Sequence, residues 1–161
     1  MTENFLEKGL IKEVISVESP EMSKPLEGNV ILIIKKINDE GKKEYTINCF
    51  VPFVGEISQF KKGENRVIKL VLTNWARKNI HIEGKEKTLN LDGSTTITGE
   101  VIKILDDSKY ADSFNAIIDC GIYIKVRFFK SQNFKIGDYI KATGRLDAYL
   151  ADNGKKRNDV K

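Results

Sequence analysis

One stretch of the sequence combines aromatic and cationic side chains at a spacing suited to binding a polyanion. The stretch is IYIKVRFFK, residues 122–130. Side chains alternate between the two faces of a β-strand, so the even-numbered residues, all apolar from 122 to 128, share one face. The opposite face carries Tyr123, Lys125, Arg127 and Phe129. This second face offers flat rings on which bases stack, with positive charge beside them for phosphates.

Two interpretations of this strand are open. Base stacking contributes about 1–3 kcal/mol per base, so two rings and two cations would give a single-stranded nucleic acid useful affinity. An exposed amphipathic strand, whose aromatics pair across a sheet and whose cations maintain solubility, has the same pattern.

Further aromatic and cationic residues could extend such a surface. GRLDAYL, residues 144–150, places Arg145 and Tyr149 on the same strand face as Asp147. Arg145 and Asp147 are alternatively neighbouring surface charges with no binding role. Trp75 stands close to two cations, and it is either a core plug or a lid on a barrel end, or a clamp for a nucleotide.

The corresponding stretch of the N-terminal half is EYTINCFVPF, residues 44–53. Its outward face of Thr46, Asn48 and Phe50 carries no cation, and Pro52 marks a strand end, an edge or a bulge. Nucleic-acid binding by this half would therefore depend on Phe50 and on three nearby cations. These are Lys61, Lys62 and Arg66.

Residue patterns that support catalysis are scarce. The chain has no P-loop, dinucleotide-binding, HExxH or GxSxG motif, and its single histidine and two distant cysteines do not make a zinc site. Cys49 and Cys120 lie in apolar runs, which predicts free, buried thiols. We expect a non-enzymatic protein without a cofactor or metal. A metal-dependent nuclease using Asp106, Asp107 and Asp112 is an alternative, although acids in a hairpin loop usually form turns.

Composition limits the class of protein. The 161 residues carry a net charge of +4, which permits an anionic partner without requiring one. The longest apolar run, VILII at 30–34, falls far short of the roughly 18–20 residues that span a bilayer, and the N-terminus lacks the pattern of a secretory signal. A soluble cytoplasmic protein is expected.

Strand signals dominate the chain. Runs rich in β-branched and aromatic residues are separated by Gly, Pro, Asn or Asp, and they predict strands at 10–18, 29–37, 45–54, 66–73, 97–105, 114–120, 122–130 and 139–149. NDEG at 38–41 and LDGS at 91–94 predict hairpin turns. The one predicted helical turn is TNWARKN at 73–79, with Thr73 or Asn74 as its cap.

Two segments of the chain repeat. FKKGE at 60–64 matches FKIGD at 134–138, and GLIKEVISVE at 9–18 resembles GEVIKILDD at 99–107. Both matched pairs combine a turn glycine with a strand, which predicts two similar units. Duplication and convergence of turn chemistry both explain the repeat.

Three of these segments, GEVIKIL, FNAIIDCGIYIKVRFF and FKIGDYIKATGRL, resemble the OB-fold superfamily, particularly the single-strand-binding modules of replication protein A type. The resemblance is strongest over 97–150 and weaker over 9–84. It implies two small antiparallel OB-like β-barrels in tandem, at 1–86 and 87–150, followed by a flexible basic tail at 151–161. The helix that OB domains commonly carry before the fourth strand must here be absent or reduced to a turn, since only KSQN at 130–133 is available.

The resemblance also implies where a ligand would lie. OB domains bind across their second and third strands, which points to Tyr123, Lys125, Arg127 and Phe129, with Arg145 and Tyr149 nearby. The predicted partner is single-stranded DNA or RNA. The alternative is a non-enzymatic interaction or assembly subunit that docks a protein through the same aromatics and through strand edges.

Overall fold

The computed structural model of the chain describes residues 5–16, 27–38, 40–52, 56–105 and 110–151. Within these ranges the regular structure consists of β-strands and three-residue 3-10 helices, so the prediction of an all-β protein with little helix is confirmed. The strands are β1 (Glu7–Ser16), β2 (Gly28–Asn38), β3 (Gly41–Val51), β4 (Asn65–Asn74), β5 (Ile80–His81), β6 (Thr88–Asn90), β7 (Thr95–Leu105), β8 (Ser113–Asp119), β9 (Tyr123–Phe129) and β10 (Tyr139–Leu150).

The turn predictions are confirmed in part. LDGS connects β6 to β7 as an antiparallel hairpin, with Gly93 at a φ of +72°. A 3-10 helix forms at Ala76–Lys78, as the helical turn predicted, but its N-cap is Trp75 and no side chain caps it. The prediction of Thr73 or Asn74 as the cap is wrong, because β4 continues through Asn74.

The chain forms two compact units that interleave along the sequence. Unit 1 consists of Met1–Leu70 and Asp147–Lys161, and unit 2 consists of Val71–Leu146. Strands β4 and β10 therefore each begin in one unit and end in the other. The sequence predicts consecutive domains at 1–86 and 87–150, and this division stays a prediction. The tail predicted at 151–161 lies, beyond Ala151, outside the described residues.

Unit 1 contains an antiparallel meander of β1, β2 and β3. After the 3-10 helix Ile57–Gln59, β4 returns and pairs antiparallel with β1. The end of β10 pairs in parallel with β3 at Asp147 and Phe50. The Ala151 N–H also donates to the Val67 carbonyl at 2.9 Å.

Unit 2 has the same order of strands. Its meander is β7, β8 and β9, and β10 returns to pair antiparallel with β7 after the 3-10 helix Lys130–Gln132. The end of β4 pairs in parallel with β9, at Val71 with Lys125 and at Leu72 with Val126. The short helix confirms that KSQN forms only a turn.

Backbone hydrogen bonds match between the two units at the repeated segments. In unit 1 the Gly63 N–H donates to the Ile11 carbonyl at 2.7 Å, and the Ile11 N–H donates to the Glu64 carbonyl at 2.8 Å. In unit 2 the Gly137 N–H donates to the Val101 carbonyl, and the Val101 N–H donates to the Asp138 carbonyl, each at 2.8 Å. Each first strand also carries a register shift directly after this residue. Shared turn chemistry alone does not explain a shared bulge, so these bonds favour a duplication.

The glycine of each repeat is needed for its backbone conformation. Gly137 has a φ of +98°, and an added Cβ would meet nothing within 4 Å, so the cost of a side chain there is conformational. We expect Gly137→Ala to lower the free energy of unfolding by about 1–2 kcal/mol, measured by urea denaturation. Ile136→Ala, at an exposed neighbouring position, is the control. Equal stability of the two variants would contradict this role for the turn.

The interleaving of the two units along the sequence predicts which fragments of the chain fold. A fragment of residues 1–86 lacks the end of β10, which supplies unit 1 with its parallel partner for β3. We expect this fragment to be largely unfolded by amide-proton NMR dispersion, because β3 and β4 lose backbone partners. A chain joining 1–70 to 147–161 through a Gly-Ser linker should show native-like dispersion. A well-folded 1–86 fragment would refute the assignment of 147–151 to unit 1.

Candidate nucleic-acid interface

Strand β9 presents the outer face that its alternating sequence predicted. The side chains of Ile124, Val126 and Phe128 are fully buried. Those of the odd-numbered residues are half-buried, and these are Tyr123, Lys125, Arg127 and Phe129. The inner face is held by aromatic packing, with Phe128 lying 4.6 Å from Phe134 between ring centroids. The predicted strand parity is confirmed, whereas the role of the outer face in binding stays a prediction.

A groove of about 350 Å³ lies on this side of unit 2. Its lining consists of residues 71–74, Asn115, Lys125 and Arg127. Strand β8 sets Asn115 directly opposite Arg127, and the parallel pairing of β4 with β9 sets Val71 opposite Lys125. Three strands therefore position the groove, whose volume lies at the lower end of the range typical of small-ligand sites.

Arg127 is held against an aromatic ring. Its guanidinium carbon lies 5.1 Å from the centre of the Tyr110 ring, within the range of a cation–π interaction. The Nε atom of Arg127 is buried and has no hydrogen-bond partner among the described residues. Buried donors are almost always paired in folded proteins, so this nitrogen is a candidate for a contact with a ligand.

A chain of hydrogen bonds fixes the end of β4 against β9. The Asn79 Nδ2 donates to the Arg127 carbonyl at 2.9 Å, which leaves the Asn79 Oδ1 to accept from the Asn74 Nδ2 at 2.5 Å. The Asn74 Oδ1 is buried and has no partner among the described residues. Gln132 completes the network, since its Nε2 donates to the Asn79 carbonyl at 3.2 Å and its Oε1 accepts from the Phe129 N–H at 3.0 Å.

The acidic residue of this face is engaged by a lysine. Asp119 lies opposite Tyr123 in the β8–β9 register. Lys87 Nζ lies 2.9 Å from the Asp119 carboxylate and 3.7 Å from that of Glu100. The hydrogen bond to Asp119 raises the pKa of Lys87 above its usual value, while partial burial acts in the opposite direction. Because Asp119 is paired, it opposes the positive charge of Lys125 and Arg127 less than an unpaired carboxylate would.

Two other predicted site residues belong to unit 2. Trp75 follows Asn74 directly and is 71% exposed, so the alternative of a core plug is wrong. Arg145 is exposed on β10. The interpretation of Arg145 and Asp147 as two surface charges is wrong for Asp147, which is 1% exposed. The alternation of β10 is interrupted there, since residues 146–148 are all buried where the strand passes from unit 2 into unit 1.

The remaining predicted site residues belong to unit 1. Phe50 and Tyr149 are half-buried, and Lys69 lies 5.4 Å from the centre of the Tyr149 ring. Lys61 is exposed. The other two cations pair with carboxylates, since Lys62 lies 3.3 Å from Glu13 and the buried Arg66 lies 3.3 Å from Glu64.

Sequence reasoning missed three residues of the unit 2 site. The sequence predicts Asn74 only as a helix cap and gives no role to Tyr110 or Asn115. Asn115 precedes the apolar run of β8, and its register with Arg127 was available from the predicted hairpin. Tyr110 precedes β8 and Asn74 ends β4, and no local pattern signals that either approaches β9.

Comparison of the chain with protein-family models, with curated proteins and with solved structures finds no match. The described residues include no helix with the length and apolar character needed to cross a bilayer. They also hold no group of three or more His, Cys, Asp or Glu suited to a metal ion. Asp106 and Asp107 of the nuclease alternative lie outside the described residues, and Asp112 is exposed.

Both cysteines are free and buried, as predicted. Burial raises the pKa of the Cys49 thiol far above its usual value, and the negative charge of Asp147 adds to this effect. We expect neither Cys49 nor Cys120 to react with a maleimide in the native protein at neutral pH, because the thiolate is the reactive form. Both should react in urea, as measured by intact mass. Rapid native labelling of Cys49 would contradict its placement in the core.

Proposed function

We propose that the protein binds single-stranded DNA or RNA without catalysing a reaction, and that the outer face of β9 in unit 2 is the binding surface. One observation carries the proposal. Two adjacent cations lie between two aromatic rings on the half-buried face of a strand whose other face is fully buried. Such a surface combines stacking platforms with charges for the phosphates.

We also propose that each unit is an OB-like barrel. The order of elements supports this architecture, since a three-stranded meander is followed by a short turn and a strand that returns to the first. A further strand end then runs parallel to the third strand. In such a barrel the ligand would cross the second and third strands, which in unit 2 are β8 and β9.

Unit 2 is the stronger candidate for binding. The outward residues of β3 in unit 1 carry no cation, and Lys62 and Arg66 nearby pair with carboxylates. In unit 2, Lys125 and Arg127 line the groove together with polar amides. We propose that unit 1 contributes weaker binding through Phe50, Lys61 and Tyr149.

Fluorescence anisotropy with a labelled oligonucleotide tests the proposal. The variant Tyr123→Ala/Phe129→Ala removes both rings and should weaken binding by about 2–6 kcal/mol, since each stacked base contributes about 1–3 kcal/mol. Affinity of the native protein should also fall with salt. Neutralisation of two phosphates by Lys125 and Arg127 alone gives a slope of about −1.4 in log K against log salt.

Tyr45→Ala is the matched control, because it removes a half-buried tyrosine of unit 1 that has no place in the proposed site. It should leave the affinity unchanged. Thermal melting of each variant separates loss of binding from loss of fold, and a Tyr123→Leu/Phe129→Leu variant replaces the alanine pair if that pair unfolds. Undiminished binding by a folded double variant would disprove the site. Absence of oligonucleotide binding by the native protein would leave the interaction-subunit alternative in its place.

A further inference from the structure

We infer that the unit 2 groove holds one unpaired nucleobase and reads its edge through a donor and an acceptor, Arg127 Nε and Asn74 Oδ1. The inference rests on the proposed function and adds to it a subsite that recognises the base by hydrogen bonds. Stacking and phosphate attraction, which the proposed function already includes, do not require such hydrogen bonds.

The two unpartnered atoms are the starting point. Both are buried, neither has a hydrogen-bond partner among the described residues, and both residues line the same groove. An unpaired buried polar atom destabilises a folded protein, so two of them beside one cavity indicate a function for that cavity. A ligand that supplies an acceptor for Arg127 and a donor for Asn74 would satisfy both.

The chemistry of the pair selects a base over a phosphate. Phosphate oxygens accept hydrogen bonds and do not donate them, so a phosphate satisfies Arg127 Nε and leaves Asn74 Oδ1 unpaired. The edge of a nucleobase carries acceptors and N–H donors side by side. Lys125, which also lines the groove, is suited to the flanking phosphate as a flexible point charge.

The acceptor identity of the Asn74 oxygen follows from its neighbours. Asn79 must direct its Nδ2 at the Arg127 carbonyl, because only the nitrogen donates. Its Oδ1 is then the atom facing Asn74, which must offer its own Nδ2 in return. The Asn74 amide is thereby fixed in one orientation, with its Oδ1 left for a donor from a ligand.

Both groups are held in place before a ligand arrives. The Tyr110 ring packs against the Arg127 guanidinium, and Gln132 ties Asn79 to the end of β9 through the Phe129 N–H. A site whose side chains are already ordered loses less conformational entropy on binding. Ordering of the pair therefore costs little on binding, and because both atoms are buried, a base reaches them only when the side chains that cover them move.

A pair of DNA pentamers separates hydrogen bonding from stacking. One is a thymidine pentamer, and the other carries difluorotoluene, an apolar base of the same shape that stacks but makes no comparable hydrogen bonds. Binding is followed by anisotropy and by quenching of Trp75, the single tryptophan, which follows Asn74 in the chain. The native protein should bind the thymidine pentamer about tenfold more tightly, equivalent to about 1.4 kcal/mol.

Arg127→Lys keeps the positive charge and removes the Nε donor. This variant should bind both pentamers equally, with the affinity that the native protein has for the difluorotoluene pentamer. Lys125→Arg is the matched control and should preserve the tenfold preference. Thermal melting establishes that both variants are folded.

The outcomes separate the inference from the proposed function. If the native protein binds neither pentamer, nor a uridine pentamer, the proposed function fails. If it binds both DNA pentamers equally, or if Arg127→Lys keeps the preference, binding is real and the base-reading subsite is refuted. If the native protein binds the uridine pentamer more tightly than the difluorotoluene pentamer but shows no such preference for the thymidine pentamer, Arg127 Nε and Asn74 Oδ1 would contact the ribose 2′-hydroxyl. That result would overturn the inference. The inference would also be overturned if thymidine monophosphate displaced the thymidine pentamer at equal concentration. The groove would then bind a free nucleotide and not a base within a strand.

Discussion

Two backbone hydrogen bonds hold each unit together at the point where its first strand meets its glycine turn. In unit 2 these bonds join Val101 to Gly137 and to Asp138. They set the start of the fourth strand against the first, and they place the preceding Phe134 where its ring packs on Phe128. Because Phe128 is thereby fixed in the core, the parity of β9 is fixed as well, and its odd-numbered residues must lie on the outer face. The hydrogen bonds at the glycine turn thus help to set which side chains of β9 form the candidate interface.

The candidate interface joins this rigid strand to a polar network. Strand β9 supplies rings and cations at a fixed two-residue spacing, while Asn79 and Gln132 fasten the end of β4 beside it. The network leaves Asn74 and Arg127 each with one buried atom that no described residue satisfies. Incomplete satisfaction in an otherwise ordered network is common where a protein meets a ligand, since the missing partner arrives with the ligand.

Much of the fold could be predicted from the sequence because it depends on local patterns. Alternation of apolar and polar residues located β9 and its two faces, and the repeated glycine turns indicated two similar units. Features that depend on distant pairing were not predictable in this way. The alternation of β10 predicts that Asp147 faces outward, yet it is buried at the point where the strand passes from unit 2 into unit 1. Asn74 lines the groove with Arg127, and Tyr110 packs on Arg127, through tertiary contacts that no local sequence pattern predicts.

Mapping of amide chemical shifts tests the central claim most directly, because it locates a ligand without altering the protein. In a titration of the ¹⁵N-labelled chain with a short single-stranded oligonucleotide, the largest shifts should fall on residues 71–79, on β8 and on β9. Residues of β1 and β2 should change little. Binding with its shifts confined to unit 1, or an unchanged spectrum at saturating oligonucleotide, would contradict the account.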